Sequence, residues 1–205
     1  MNFYHDLITQ KSWQLLQNFR KQYSFILIGG WAVFLYTQAL KSKDIDLVME
    51  YKDLEKLRLS FPVTKNDRLK KYEARNEEVE IDIYVPFYSS PGLPAQDLQH
   101  FVTSFEGFNL VEKEVLAILK QRALMDRAYS VKGKKDLIDL VSLFQLDDFN
   151  WTKYNSILFQ YRLGEYIKFT HNIIKTTRKI DELDLNVHKM ARFKKRILSL
   201  LGSSS

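Results

Sequence analysis

The sequence predicts an α+β protein: a mixed β-sheet with flanking helices over residues 1–95, followed by an α-helical domain over 96–205. Three features carry that expectation. Short β-branched and aromatic runs with period-2 alternation end at Ser89-Ser90-Pro91-Gly92-Leu93-Pro94. Beyond that stretch, apolar residues recur at helical spacing. Charge divides as well: residues 151–205 hold 11 Lys+Arg against 4 Asp+Glu, leaving 20 against 21 for residues 1–150, so the net charge of +6 resides in the last quarter.

Taken in order, Leu7, Ile8, Trp13, Leu15, Leu16 and Phe19 mark an amphipathic helix over 6–22. Residues 24–28 read as a buried strand that ends in the sharp turn Gly29-Gly30. A helix follows over 31–40, then a strand over 45–49 with acids interleaved. Residues 52–59 read as a short helix, stopped before Pro62. Residues 69–75 and 79–85 form a hairpin around Asn76-Glu77. Helices are expected over 111–128, 134–146, 151–161, 165–176 and 187–201, with Asp148 or Asn150 capping the third. Residues 202–205 read as a disordered tail.

Composition excludes several classes. At 45% hydrophobic residues, with 14 Phe and 11 Tyr, the bulk of the chain can bury a core. No apolar run approaches the roughly 20 residues that span a bilayer, and residues 1–6 lack a signal-peptide pattern, so the expectation is a cytoplasmic protein with no membrane partner. The absence of Cys excludes disulfide and thiolate chemistry. The four His match no metal spacing.

The chemistry concentrates in acids and glycines. Asp44 and Asp46 are two apart on a predicted strand, so both carboxylates share one face while Ile45 and Leu47 take the other. Glu80 and Asp82 repeat that pattern. Converging carboxylates without Cys or His suit Mg2+ or Mn2+, and two such ions about 4 Å apart can align an attacking oxygen and a leaving phosphate. Gly29-Gly30, between strand and helix, lets backbone amides approach a phosphate.

Ile28-Gly29-Gly30-Trp31-Ala32 followed by Ser42-Lys43-Asp44-Ile45-Asp46-Leu47 resembles the Gly-Gly/Ser and Asp-x-Asp motifs of the DNA polymerase beta-type nucleotidyltransferase superfamily. Residues 79–85 look like its third-carboxylate strand. The resemblance implies a nucleotidyltransferase fold, two Mg2+ (or Mn2+) ions, and a nucleoside triphosphate such as ATP as substrate. It implies Asp44 and Asp46 as ligands of both metals, and Asp82 as ligand of the catalytic metal and base for the acceptor hydroxyl; Glu80 is the rival for that role.

Lys120 and Arg127 followed by Gly133-Lys134-Lys135-Asp136-Leu137-Ile138-Asp139-Leu140 resemble the basic helix and Lys-Asp-x-x-Asp-Leu element of AbiEii-type nucleotidyltransferases, which include toxins of type IV toxin–antitoxin systems. This match spans roughly 24–146 and implies nucleotide binding by Gly29, Gly30, Lys120, Arg127, Lys135 and Asp136. Lys113, Lys120 and Arg127, seven apart, share one helix face at intervals of about 10 Å. The acceptor stays open: RNA or tRNA held by the basic residues of 151–205, a partner protein, or a small antibiotic, since Gly29-Gly30-Trp31-Ala32 is also similar to lincosamide and aminoglycoside nucleotidyltransferases. A cognate antitoxin and a non-catalytic binding role are further alternatives.

Overall fold

Alternation along the strands sets the first half of the chain. β2 (Ile45–Val48) buries Ile45 and Leu47, and β5 (Val79–Tyr84) buries Val79, Ile81 and Ile83. These strands pair in parallel with Ile45 opposite Ile81 and Leu47 opposite Ile83, so one apolar row meets another. β1 (Ile26–Ile28) lies antiparallel on the other edge of β2. β4 (Lys71–Asn76) lies antiparallel to β5, and β3 (Val63–Asn66) antiparallel to β4. β7 (Phe108–Val111) pairs in parallel with β1 and antiparallel with β6 (Val102–Phe105). The result is a mixed seven-stranded sheet in the order β3-β4-β5-β2-β1-β7-β6.

Three helices accompany this sheet: α1 (Asn2–Gln22), α2 (Gly29–Thr37) and α3 (Tyr51–Arg58). The indole N–H of Trp31 on α2 donates to Ser12 Oγ on α1 at 2.8 Å, and its ring lies 4.9 Å from that of Trp13. Trp31 is 1% exposed and so belongs to the core.

This computed structural model describes residues 2–202; Met1 and the expected tail residues Ser203, Ser204 and Ser205 lie outside the described residues. The chain divides into two compact units, Met1–Glu112 and Lys113–Ser205. The boundary therefore falls after residue 112, not at 95 as the Pro-rich stretch suggested. That stretch leads into a 3-10 turn, Ala95–Phe101, and the β6–β7 hairpin then returns to the sheet. Glu106 (φ 48°) and Gly107 (φ 77°) form its two-residue turn, the left-handed pair that matches strand twist. β3 was equally unmarked, because its side chains are half-buried or exposed and show no apolar alternation. No helix among the described residues is long and apolar enough to cross a membrane.

The second unit is helical throughout: α4 (Lys113–Arg127), α5 (Val131–Phe144), α6 (Trp151–Gln160), α7 (Gly164–Thr176) and α8 (Val187–Leu200). Polar caps start three of them. Ser130 accepts from Gly133 N, Asn150 from Lys153 N and Asn186 from Lys189 N. Asn150, one of the two candidates, is thus the cap of α6. Phe144, Phe149, Trp151 and Tyr154 pack edge-to-face or tilted into an aromatic cluster.

The returning hairpin is integral to the first unit, and its loss should be measurable. Leu110 on β7 is fully buried and is the register partner of Leu27 on β1. Leu110→Ala should cost about 3 kcal/mol in chemical denaturation. Thr64→Ala, on the exposed edge strand, should cost less than about 0.5 kcal/mol. Equal small losses for the two would place the hairpin outside the cooperative unit.

Candidate functional site

The ladder between β2 and β5 puts Asp46 directly beside Asp82, and the ladder between β5 and β4 puts Glu73 beside Asp82 on its other edge. Partners in register share a face, so Glu73, Asp82 and Asp46 form one acidic row across three adjacent strands. Asp44, two residues before Asp46, lies in the bend that leads into β2, just ahead of the strand. Glu80 is exposed and stands opposite Arg75. Of the two rivals, Asp82 is therefore the one that adjoins Asp46.

Gly29 completes this corner. Its φ is +68°, and a Cβ placed on it would lie 2.0 Å from Asp46 Oδ2. The backbone thus approaches the carboxylate as only glycine allows, at the point where α2 begins. The N-cap of that helix is Ile28, whose side chain supplies no capping acceptor to the first-turn amides.

Sequence reasoning missed Lys71 and Glu73. Lys71 Nζ lies 2.6 Å from Asp82 Oδ2 and 3.0 Å from Glu73, with its side chain largely buried. The signal was present in the alternation of Lys71, Tyr72 and Glu73 along β4, which places both charges on the carboxylate face. Burial first, and the charge of Asp46 second, push the Asp82 carboxyl up to about 6, against the opposing pull of Lys71. Burial in turn works most strongly against the charged form of Lys71, and the hydrogen bonds and negative charges of Asp82 and Glu73 together outweigh it, so its pKa is raised.

The remaining predicted residues lie in the second unit. Lys120, only 7% exposed, reaches Asp136 at 3.3 Å and Asp139 at 2.6 Å. Arg127 grips the Asp136 carboxylate with two N–H donors, at 2.7 and 3.2 Å. Lys113, seven residues before Lys120, pairs with Asp148. The stripe Lys113, Lys120 and Arg127 therefore meets acids within its own unit. Asp136 and Asp139 are buried, Lys135 is half-buried, and Arg127 keeps 42% of its side chain exposed. Asp139, the second acid of the Lys-Asp-x-x-Asp-Leu element but not among the residues expected to bind nucleotide, is the deepest member of this cluster.

The donor set of the first unit, carboxylate oxygen throughout, is that of a hard divalent cation. As the side chains stand, Asp82 is engaged by Lys71, and no three carboxylate or imidazole groups among the described residues stand close enough to hold one ion.

No protein-family model matches the chain, and no curated protein matches it. Solved structures do. JHP933 from Helicobacter pylori is 16% identical over 95% of this chain and 91% of that one, with a TM-score of 0.51. A second H. pylori structure, described as a candidate nucleotidyltransferase, is 15% identical over 96% of this chain and 94% of that one, also with a TM-score of 0.51. At these identities the likeness concerns the fold, which is nucleotidyltransferase-like: a mixed sheet with flanking helices, continued by helices.

Two measurements probe this corner. Gly29→Ala forces a Cβ into the left-handed region, costing about 1 kcal/mol, and drives it against Asp46. A total loss of at least about 2 kcal/mol is expected, and adding Asp46→Ala should return part of it in a double-mutant cycle. Strict additivity would mean that the carboxylate does not press on Gly29.

The second measurement follows stability with pH in the metal-free protein. Because the folded-state pKa of Asp82 is raised to about 6, its contribution is fully present below about pH 4 and is lost as pH rises through 6. The loss is at most about 3 kcal/mol. Asp82→Asn should therefore be more stabilising at pH 7 than at pH 4. A difference independent of pH would show that Asp82 does not titrate in that window.

Proposed function

We propose that this protein is a metal-dependent nucleotidyltransferase in which Asp44, Asp46 and Asp82 hold Mg2+ or Mn2+ and Gly29-Gly30 cradles the triphosphate. The observation that carries this reading is the register of Asp46 against Asp82 on neighbouring parallel strands, next to a left-handed Gly29 that opens a helix. The fold shared with the H. pylori structures supports it.

In the proposed reaction an acceptor hydroxyl attacks the α-phosphate of a nucleoside triphosphate. A new P–O bond forms, the bond between the α-phosphorus and the bridging oxygen breaks, and pyrophosphate leaves with the electron pair. Asp82 accepts the hydroxyl proton. The amides of Gly29 and Gly30, at the start of α2, orient the triphosphate. Bound divalent cations would neutralise charge on the phosphates and lower the barrier to attack. Asp82, engaged here by Lys71, would have to be freed from that contact to hold an ion. Lys71 can then turn its charge to the phosphates, since four methylenes separate its ammonium from the strand. The acceptor we favour is RNA, because α8 sets Lys189, Arg192 and Arg196 on one face and carries no acid.

Metal binding and transfer can be read separately. Asp46→Asn should abolish label transfer from radioactive triphosphates to total RNA and weaken Mn2+ binding at least tenfold by calorimetry. Lys71→Met should tighten Mn2+ binding several-fold, because it removes the ammonium that competes for Asp82. Unchanged Mn2+ affinity in both variants would reject the carboxylate row as the metal site.

A further inference from the structure

The second unit contains an open cavity of about 360 Å3 lined by Gln145, Leu185, Lys189, Arg192, Phe193 and Arg196. It is shallow and largely open to solvent. Its chemistry is one-sided: three cations, one amide, and an apolar floor of Leu185 and Phe193, both buried. No acid lines it.

The arrangement follows from helix geometry. Lys189, Arg192 and Arg196 stand at i, i+3 and i+7 on α8, which places them on one face over about 10 Å of helix. Met190, Phe193 and Ile197 anchor the adjoining face in the core. Two of the three cations have local duties. Arg196 donates to the Phe144 carbonyl at the end of α5 at 3.3 Å, and Lys189 pairs with Asp184. Both contacts fix the side chains at the cavity wall. Arg192 is exposed and stands between them along the helix.

We propose that this cavity binds the phosphate of a nucleotide, with Arg192 as the principal contact and Arg196 and Lys189 as flanking charges. A guanidinium presents planar paired donors that match two phosphate oxygens. The apolar floor and the Gln145 amide give the attached sugar or base a surface to lie against. The nucleotide is either a unit of an RNA chain or a free mononucleotide, and the two sources share this phosphate chemistry. As a site for an RNA acceptor, the cavity rests on the nucleotidyltransferase reading; as a phosphate site it does not.

The test uses the full chain without triphosphate or metal, so its result does not depend on transfer activity. Binding of a fluorescein-labelled eight-nucleotide single-stranded RNA is followed by anisotropy at low salt, and binding of AMP by calorimetry. Arg192→Glu should weaken RNA binding at least tenfold. Lys195→Glu, an equal charge change on α8 outside the cavity, should weaken it less than threefold. Arg192→Gln should fall between the native protein and Arg192→Glu. If AMP also binds and is lost with Arg192→Glu, the source is a free nucleotide; if only the RNA binds, the source is a chain. Equal losses for Arg192→Glu and Lys195→Glu would reduce the site to diffuse charge and overturn the proposal. So would an absence of both RNA and AMP binding by the native protein. Melting temperatures of the variants within a few degrees of native exclude misfolding as the cause.

Discussion

The first unit is organised around a repulsion. Two carboxylates, Asp46 and Asp82, stand side by side on parallel strands, which run about 4.8 Å apart. At that spacing and an effective dielectric near 20, two like charges repel by roughly 3 kcal/mol. The apolar rows on the opposite face prevent relief by slippage. Shifting β2 by one residue would turn Ile45 and Leu47 out of the core and Asp46 into it. Relief comes from a proton below about pH 6 and from a cation above it. In this structure Lys71 supplies that cation to Asp82, and Gly29 lies so close to Asp46 that no side chain fits between. A corner of this kind is held together by the core beneath it, not by its own contacts.

The second unit treats its charges differently. Lys120, Arg127, Asp136 and Asp139 neutralise one another where α4 meets α5. Removing one partner from such a buried set leaves an uncompensated charge, so its members depend on each other for the fold of the helices. The cations of α8 instead border an open cavity or solvent. The same residue types therefore serve two ends in one unit. Burial and the presence of nearby acids, not the identity of the residue, separate them.

Much of this was legible in the residues. Strand alternation around Asp46 and Asp82 and the apolar period of the later helices depend on local sequence alone. The five helices of the second unit and the strands β1, β2, β4 and β5 all follow from such local patterns. β3 and β6 escaped because edge strands bury little and show no clean alternation. The β6–β7 hairpin also follows a Pro-rich stretch that reads as an end. Its Glu106-Gly107 turn was the available signal.

What the sequence by itself determined was which residues share a face, since side-chain direction is set by backbone periodicity. That was enough to single out Asp46 with Asp44 and Asp82 with Glu80, and to place Lys113, Lys120 and Arg127 on one helix stripe. Tertiary structure alone decided what those faces meet. Register between β2 and β5 chose Asp82 over Glu80 as the neighbour of Asp46. The fold of β4 brought Lys71 to Asp82, and the packing of α5 turned Lys120 inward to Asp136 and Asp139. Each of these joins residues on different elements, and such pairings arise only when non-local surfaces close against one another.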